Sequence, residues 1–173
     1  MGMKIAGAVC IIVACTAMGF SFSFRLRCRY GELTELKKIL YLLSGEIRFG
    51  GSTLDEAFEM VRDRCEEPYR GFFSALSGEL KKGGGRTLSQ IWREAVNEKL
   101  PGSRLSREDR NILQRVGEDL GCLDKETQLK SLSLSIEQLD GAGKALYAEL
   151  PKKMKLYNYL GILTGVFLTI FLI

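Results

Sequence analysis

Histidine is absent from this 173-residue chain, and so is any Cys-x-x-Cys pair. The first absence removes the usual neutral-pH acid–base group, and the two together exclude the common zinc patterns. The five cysteines (Cys10, Cys15, Cys28, Cys65 and Cys122) form no spaced framework, and an odd count of this kind fits a reducing compartment. No segment alternates apolar and polar residues long enough to read as a strand, and no Gly-Lys-Ser/Thr follows one. The Gly-Gly segments are therefore turns rather than phosphate-cradling loops. A large charge of one sign is also missing. The formal net charge is +4, and the middle of the chain carries 24 basic against 21 acidic residues, closely interspersed. That balance argues against a nucleic-acid partner. An enzyme would have to work with carboxylates and cysteines alone. The adjacent Glu118 and Asp119 diverge by roughly 100° on a helix and do not share a substrate. No catalytic residue, cofactor or metal is assigned.

What is present is sharply segregated. Residues 5–24 and 156–173 are uncharged runs, and every acidic residue lies between Glu32 and Glu149. The first run is just long enough to cross about 30 Å of hydrocarbon as a helix, and its small residues suit packing against a second one. A cleaved signal peptide is the competing reading, as is a lipoprotein signal ending at Cys15. The apolar stretch continues past Cys15 to Phe24, and Arg25, Arg27 and Arg29 follow it, which favours an uncleaved anchor. Lys152, Lys153 and Lys155 precede the second run, with Tyr157 and Tyr159 in the place of an interfacial belt and Gly161-x-x-x-Gly165 as a helix-packing face. Basic flanks on the inner side of both runs place residues 25–155 in the cytoplasm and both ends outside. The expected division is a transmembrane helix at 1–24, a cytoplasmic helical bundle at 25–155 and a second transmembrane helix at 156–173.

The middle contains an internal repeat. Leu43-Ser-Gly-Glu-Ile-Arg-Phe-Gly-Gly-Ser-Thr-Leu54 returns as Leu76-Ser-Gly-Glu-Leu-Lys-Lys-Gly-Gly-Gly-Arg-Thr-Leu88, with one residue inserted. Each copy reads as a helix end, a glycine turn and a new helix opened by a capping box, Thr53 with Glu56 and Thr87 with Gln90. Ala57, Phe58 and Val61 form the apolar face after the first turn; Ile91, Trp92 and Val96 do so after the second. Pro68 suits the first turn of a helix through Phe72, Phe73, Leu76 and Leu80. Leu129, Leu132, Ile136, Leu139, Leu146 and Leu150 make a heptad seam, either the core face of a bundle helix or a coil that meets another chain. Pro151 should kink or interrupt this helix.

Residues 106–128 read as a helix, a tight turn and the start of another helix. Ser106 is an N-cap over Asp109, and Ile112, Leu113, Val116 and Leu120 share one face. Gly117 costs about 1 kcal/mol against Ala in a helix interior, so it points to close approach of another helix, with Glu118 and Asp119 left on the other side. Gly121 is expected to end the helix in the left-handed conformation, and Asp124 to cap the next. Acidic residues in a last helical turn oppose the dipole by about 0.3–1 kcal/mol, which calls for a basic partner. Arg115 or Lys125 would supply it internally, a second protein externally.

Taken with both anchors, the chain resembles the stage III sporulation protein AB family of endospore-forming bacteria, over nearly its whole length. The matching residues are Lys4 and Gly7-Ala8-Val9, Glu46-Ile47, Gly51-x-Thr53-Leu54-x-Glu56-Ala57, Gly117-Glu118-x-Leu120-Gly121, Asp124, Gln128 and Tyr159-Leu160-Gly161. One departure is Thr53, where the family often has proline. The resemblance implies an all-α fold like the cytoplasmic domain of inner-membrane platform proteins of type II secretion and type IV pilus machines, a bundle of about six helices. It also implies a non-catalytic part in a channel complex between mother cell and forespore, in the mother-cell membrane around the forespore. The implied partners are a secretion-type ATPase encoded in the same operon, other membrane components of the complex and membrane lipid, with a homo-oligomer left open. The residues expected to meet a partner are Glu118, Asp119 and Asp124, with Gly117 and Gly121 shaping the turn. The alternative is a generic helical membrane scaffold unrelated to sporulation.

Overall fold

Helix boundaries fall where the chain supplies caps and glycines. In the computed structural model the backbone is described for residues 2–51, 53–122 and 124–172, and the side chains for residue 7 and residues 13–51, 53–121 and 124–170. Among the described residues there are six helices and no strand: α1 Gly2–Phe49, α2 Leu54–Asp63, α3 Tyr69–Lys82, α4 Leu88–Lys99, α5 Arg107–Cys122 and α6 Lys125–Leu172. The all-α expectation holds, and both copies of the repeat are helix–turn–helix.

The local chemistry explains the breaks. The Thr53 N–H donates to the Glu56 carboxylate at 3.2 Å, and Thr87 and Gln90 exchange two such bonds. Ser106 and Asp109 form the same reciprocal pair at 2.8 and 3.2 Å, with the Asp109 carboxylate accepting the Ser106 N–H. Each pair satisfies orphan donors at a helix start. Gly83 closes α3 with φ 63°, where a side chain would be strained, and Lys81 and Lys82 meet the negative end of that helix dipole.

The chain divides into two compact units, residues 32–143 and residues 1–31 with 144–173. In the first, α2, α3, α4 and α5 are sequential neighbours, and Lys37 of α1 pairs with Asp140 of α6 at 2.7 Å. Leu33, Leu36, Ile39, Leu40 and Leu43 bury one stripe of α1, and Leu132, Ile136 and Leu139 bury one stripe of α6. At the centre Phe58, Phe72, Phe73 and Trp92 form an aromatic cluster with centroids 5.0–6.4 Å apart, within the range where edge-on pairs attract. Phe58 and Trp92 stand at equivalent places in the two repeats, so the repeats meet through matching aromatics. Nearby, the Glu32 carboxylate accepts from the Tyr69 hydroxyl at 3.4 Å and from the Arg104 N–H. Burial, with Glu32 beside it, pushes the Tyr69 phenol far above its ordinary pKa.

In the second unit α1 and α6 lie against each other at glycines. A Cβ on Gly19 would fall 2.6 Å from the Tyr157 carbonyl oxygen, and one on Gly161 would fall 2.8 Å from that of Cys15. Beside this crossing the Ser23 hydroxyl bonds Asn158 Oδ1 at 2.9 Å, and Phe22 stacks on Tyr157 at 5.6 Å. The two apolar ends therefore pack within one chain, an arrangement the sequence left open.

Pro151 does not interrupt α6, which runs through it. A proline removes one backbone bond, but this stretch is held on both sides, by buried Leu146 and Leu150 before it and by Asn158 and Gly161 after it. Among the described residues no helix is long and apolar enough to cross a membrane. The expected spans 5–24 and 156–173 lie in part outside the residues whose side chains are described.

Candidate functional site

The stretch singled out by sequence forms the corner where α4, α5 and α6 meet. Gly117 faces α4, where the Trp92 indole lies across it: a Cβ there would sit 2.1 Å from Trp92 Cγ. Trp92 is 1% exposed, and its Nε1–H donates to the Leu113 carbonyl at 2.8 Å, one turn before Gly117 on α5. The indole is thus pinned by packing and by a buried hydrogen bond, and only glycine leaves room for it. The inference of close helix approach from Gly117 holds, with Trp92 as the group that fills the gap.

Gly121 has a different role from the one expected. It does not take the left-handed conformation, which among the described residues is adopted only by Gly51, Gly83 and Gly85. It lies inside α5, and a Cβ there would stand 3.3 Å from Leu88 Cβ. Gly117 and Gly121 are one helical turn apart, so both admit α4 along the same face. The end of α5 is satisfied instead by the Gln128 side-chain amide, which donates to the Leu120 carbonyl at 2.8 Å. Asp124 caps α6 as expected, accepting from the Glu126 and Thr127 N–H groups at 3.0 and 3.2 Å and from the Thr127 hydroxyl at 2.8 Å. The Thr127 hydroxyl, then the backbone donors, holds the Asp124 carboxyl below the usual carboxylate range. Because that pKa is depressed by folding, the cap stabilises the corner above the ordinary Asp value near 3.9 and is lost as pH falls through the folded one.

The two acidic residues were expected on the side away from the helix that Gly117 admits; Glu118 departs from this, and the two separate. Glu118 turns to α4 and pairs with Arg93 at 3.0 Å, both side chains about half-exposed. Asp119 turns to α6 and accepts from the Ser131 hydroxyl. The basic partner of Glu118 is therefore Arg93, and neither Arg115 nor Lys125 takes that place. The reason is geometric: Gly117 and Gly121 let α4 approach so closely that the residue after Trp92 lies within reach of the residue after Gly117. An exposed pair of this kind contributes only about 0–1 kcal/mol. Sequence reasoning missed Arg93 and Trp92 as members of this corner, and named Gln128 without the role it plays. Among the described residues no group of three or more carboxylates, cysteines or histidines is arranged to hold a metal ion.

A family model described as stage III sporulation protein AB matches residues 4–173. The chain belongs to the stage III sporulation protein AB family. Stage III sporulation protein AB of Bacillus subtilis (strain 168) is 28% identical over 170 residues, spanning 98% of this chain and 99% of the relative. A solved structure of stage III sporulation protein AB aligns with a TM-score of 0.65 at 24% identity, covering 71% of this chain and 96% of that one, and shares its fold. Membership in the stage III sporulation protein AB family supports a role in sporulation. The residues that carried the resemblance at this corner, Gly117 through Gln128, are the ones that lock α4, α5 and α6 together.

The two classes of glycine should respond oppositely to alanine. Gly117→Ala forces the pinned indole to move and should destabilise the protein by about 1–3 kcal/mol, the usual cost of overpacking. Gly141, also helical, has open space around it and should gain up to about 1 kcal/mol from the same change. Denaturant unfolding of the two variants checks this; equal and favourable shifts would contradict the packing described.

Proposed function

We propose that this chain is a non-catalytic platform or adaptor in a channel complex between mother cell and forespore. In this reading residues 5–24 and 156–173 span the mother-cell membrane around the forespore, with the intervening bundle in the cytoplasm. The bundle receives a secretion-type ATPase, and the other membrane components of the complex and the surrounding lipid meet the apolar ends. The family match over residues 4–173 carries the proposal. Two features of the second unit support the membrane part. Gly19 and Gly161 meet as small residues do at packed membrane helices, and the buried Ser23 hydroxyl donates to the half-buried Asn158. Phe24, Leu163, Phe167 and Ile170 point outward from this unit, more than half-exposed, as lipid-facing side chains would.

The docking face for the ATPase includes the exposed edge where Arg93 pairs with Glu118, close to Asp119 and Asp124. This edge is charged and accessible, and Trp92 fixes the backbone behind it, so a partner has only side chains to order there. Changing Glu118 to Gln and Asp119 to Asn together tests it. The melting temperature should hold within a few degrees, since the Arg93–Glu118 pair is exposed and an amide at 119 can still accept from the Ser131 hydroxyl, while ATPase capture by the purified bundle and spore formation both fall. A drop in stability with binding lost only in proportion would make these residues purely structural. Full binding in a stable double variant would move the docking face elsewhere.

Topology has its own test. Cys65 is buried and unsuited to labelling, so the probe is Ser74→Cys on the exposed face of α3. An impermeant thiol reagent should leave this site unlabelled in intact cells and label it after permeabilisation. Labelling in intact cells would overturn a cytoplasmic bundle.

A further inference from the structure

Phe49 is 83% exposed, more than any other large apolar side chain among the described residues. The internal repeat supplies a reference for it. Phe49 ends α1 as Lys82 ends α3, at the equivalent place in the second copy. The position faces solvent in both, and where one copy has the expected lysine the other displays an aromatic ring. Gly50 and Gly51 follow it and have no side chains to hold another surface away. Arg48, beside it, forms no ion pair with any described residue.

A complementary feature lies on the same unit. Between α3 and α4 is a cleft of about 330 Å³, at the small end of the range of about 300–1,000 Å³ for ligand pockets. Ala75, Ile91 and Ala95 make its apolar base. Its charged lining has Glu79, Glu94 and Glu98 against Arg86 and Lys99, three carboxylates to two cations. Arg86 bridges Glu79 and Glu94, which leaves Glu98, one turn further along α4, without an ion pair among the described residues. The cleft therefore offers a small apolar floor inside a charged rim that carries the Glu98 carboxylate, and this chain displays an aromatic ring beside a cation at 48–49.

We infer that Phe49 seats in the α3–α4 cleft of a second copy of this chain, with Arg48 reaching that copy's Glu98. Projection and cleft lie on different helices, and each copy has one of each to offer, so copies join head-to-tail into a ring or open row, or as a two-fold pair in which each projection fills the other copy's cleft. The inference is independent of the ATPase reading, which concerns the edge at Glu118.

The test uses the full chain in detergent, with association followed by sedimentation velocity. The native chain should associate with rising concentration. Phe49→Lys, which copies the second repeat, and Glu98→Arg should each weaken association by more than about tenfold, as loss of a central anchor does. Neither should change the melting temperature, because both positions are exposed. Mixing the two variants is the decisive arm. The Phe49→Lys chain keeps its cleft and the Glu98→Arg chain keeps its projection, so the mixture should recover dimers that neither variant forms alone, and should stop there. A native chain that stays monomeric, association that ignores both substitutions, or a mixture that recovers nothing would each overturn the inference.

Discussion

The bundle depends on one contact, the Trp92 indole lying across Gly117. The ring fills the space a side chain would occupy on α5 and donates its N–H to the carbonyl one turn earlier. On its other side it closes the cluster of Phe58, Phe72 and Phe73. Through this one side chain α4 is held to α5 by a hydrogen bond and to α2 and α3 by apolar packing. A buried tryptophan with a satisfied N–H and three aromatic neighbours removes a large area from water and leaves no polar group unmatched.

The consequences spread along the same helix pair. With α4 this close, Gly121 admits Leu88 and Arg93 comes within reach of Glu118. Asp124 and Gln128 then fasten the turn into α6, and Ser131 donates to Asp119. Charges that oppose the helix dipole at the end of α5 are thereby matched on two sides. The result is a corner whose three helices are tied together, with the Arg93–Glu118 pair on its exposed edge.

Much of this was legible in sequence where the physics is local. Thr53 with Glu56, Thr87 with Gln90, Ser106 with Asp109, and Asp124 were readable as caps, because a cap is decided within four residues. The repeat was legible because its glycine turns recur with their flanking Leu-Ser-Gly-Glu. Gly117 announced a close neighbour through its cost in a helix, but the neighbour's identity depends on the path of residues 100–106 between α4 and α5, which no local rule supplies. Gly121 was misread because a glycine at the end of an apolar period looks the same whether it ends a helix or admits another. Arg93 was missed for the same reason as Trp92. The Pro151 expectation allowed a break in α6 because propensity takes no account of the packing on either side of it.

The central claim is that the Trp92–Gly117 contact belongs to the most stable part of the bundle. Hydrogen exchange of the Trp92 indole N–H, followed by NMR on the native protein, tests it most directly. If the contact holds the bundle together, this proton exchanges only when the whole bundle unfolds, with an opening free energy equal to that from denaturant unfolding. Exchange at the rate of an exposed indole, while the backbone amides of α4 and α5 stay protected, would contradict it.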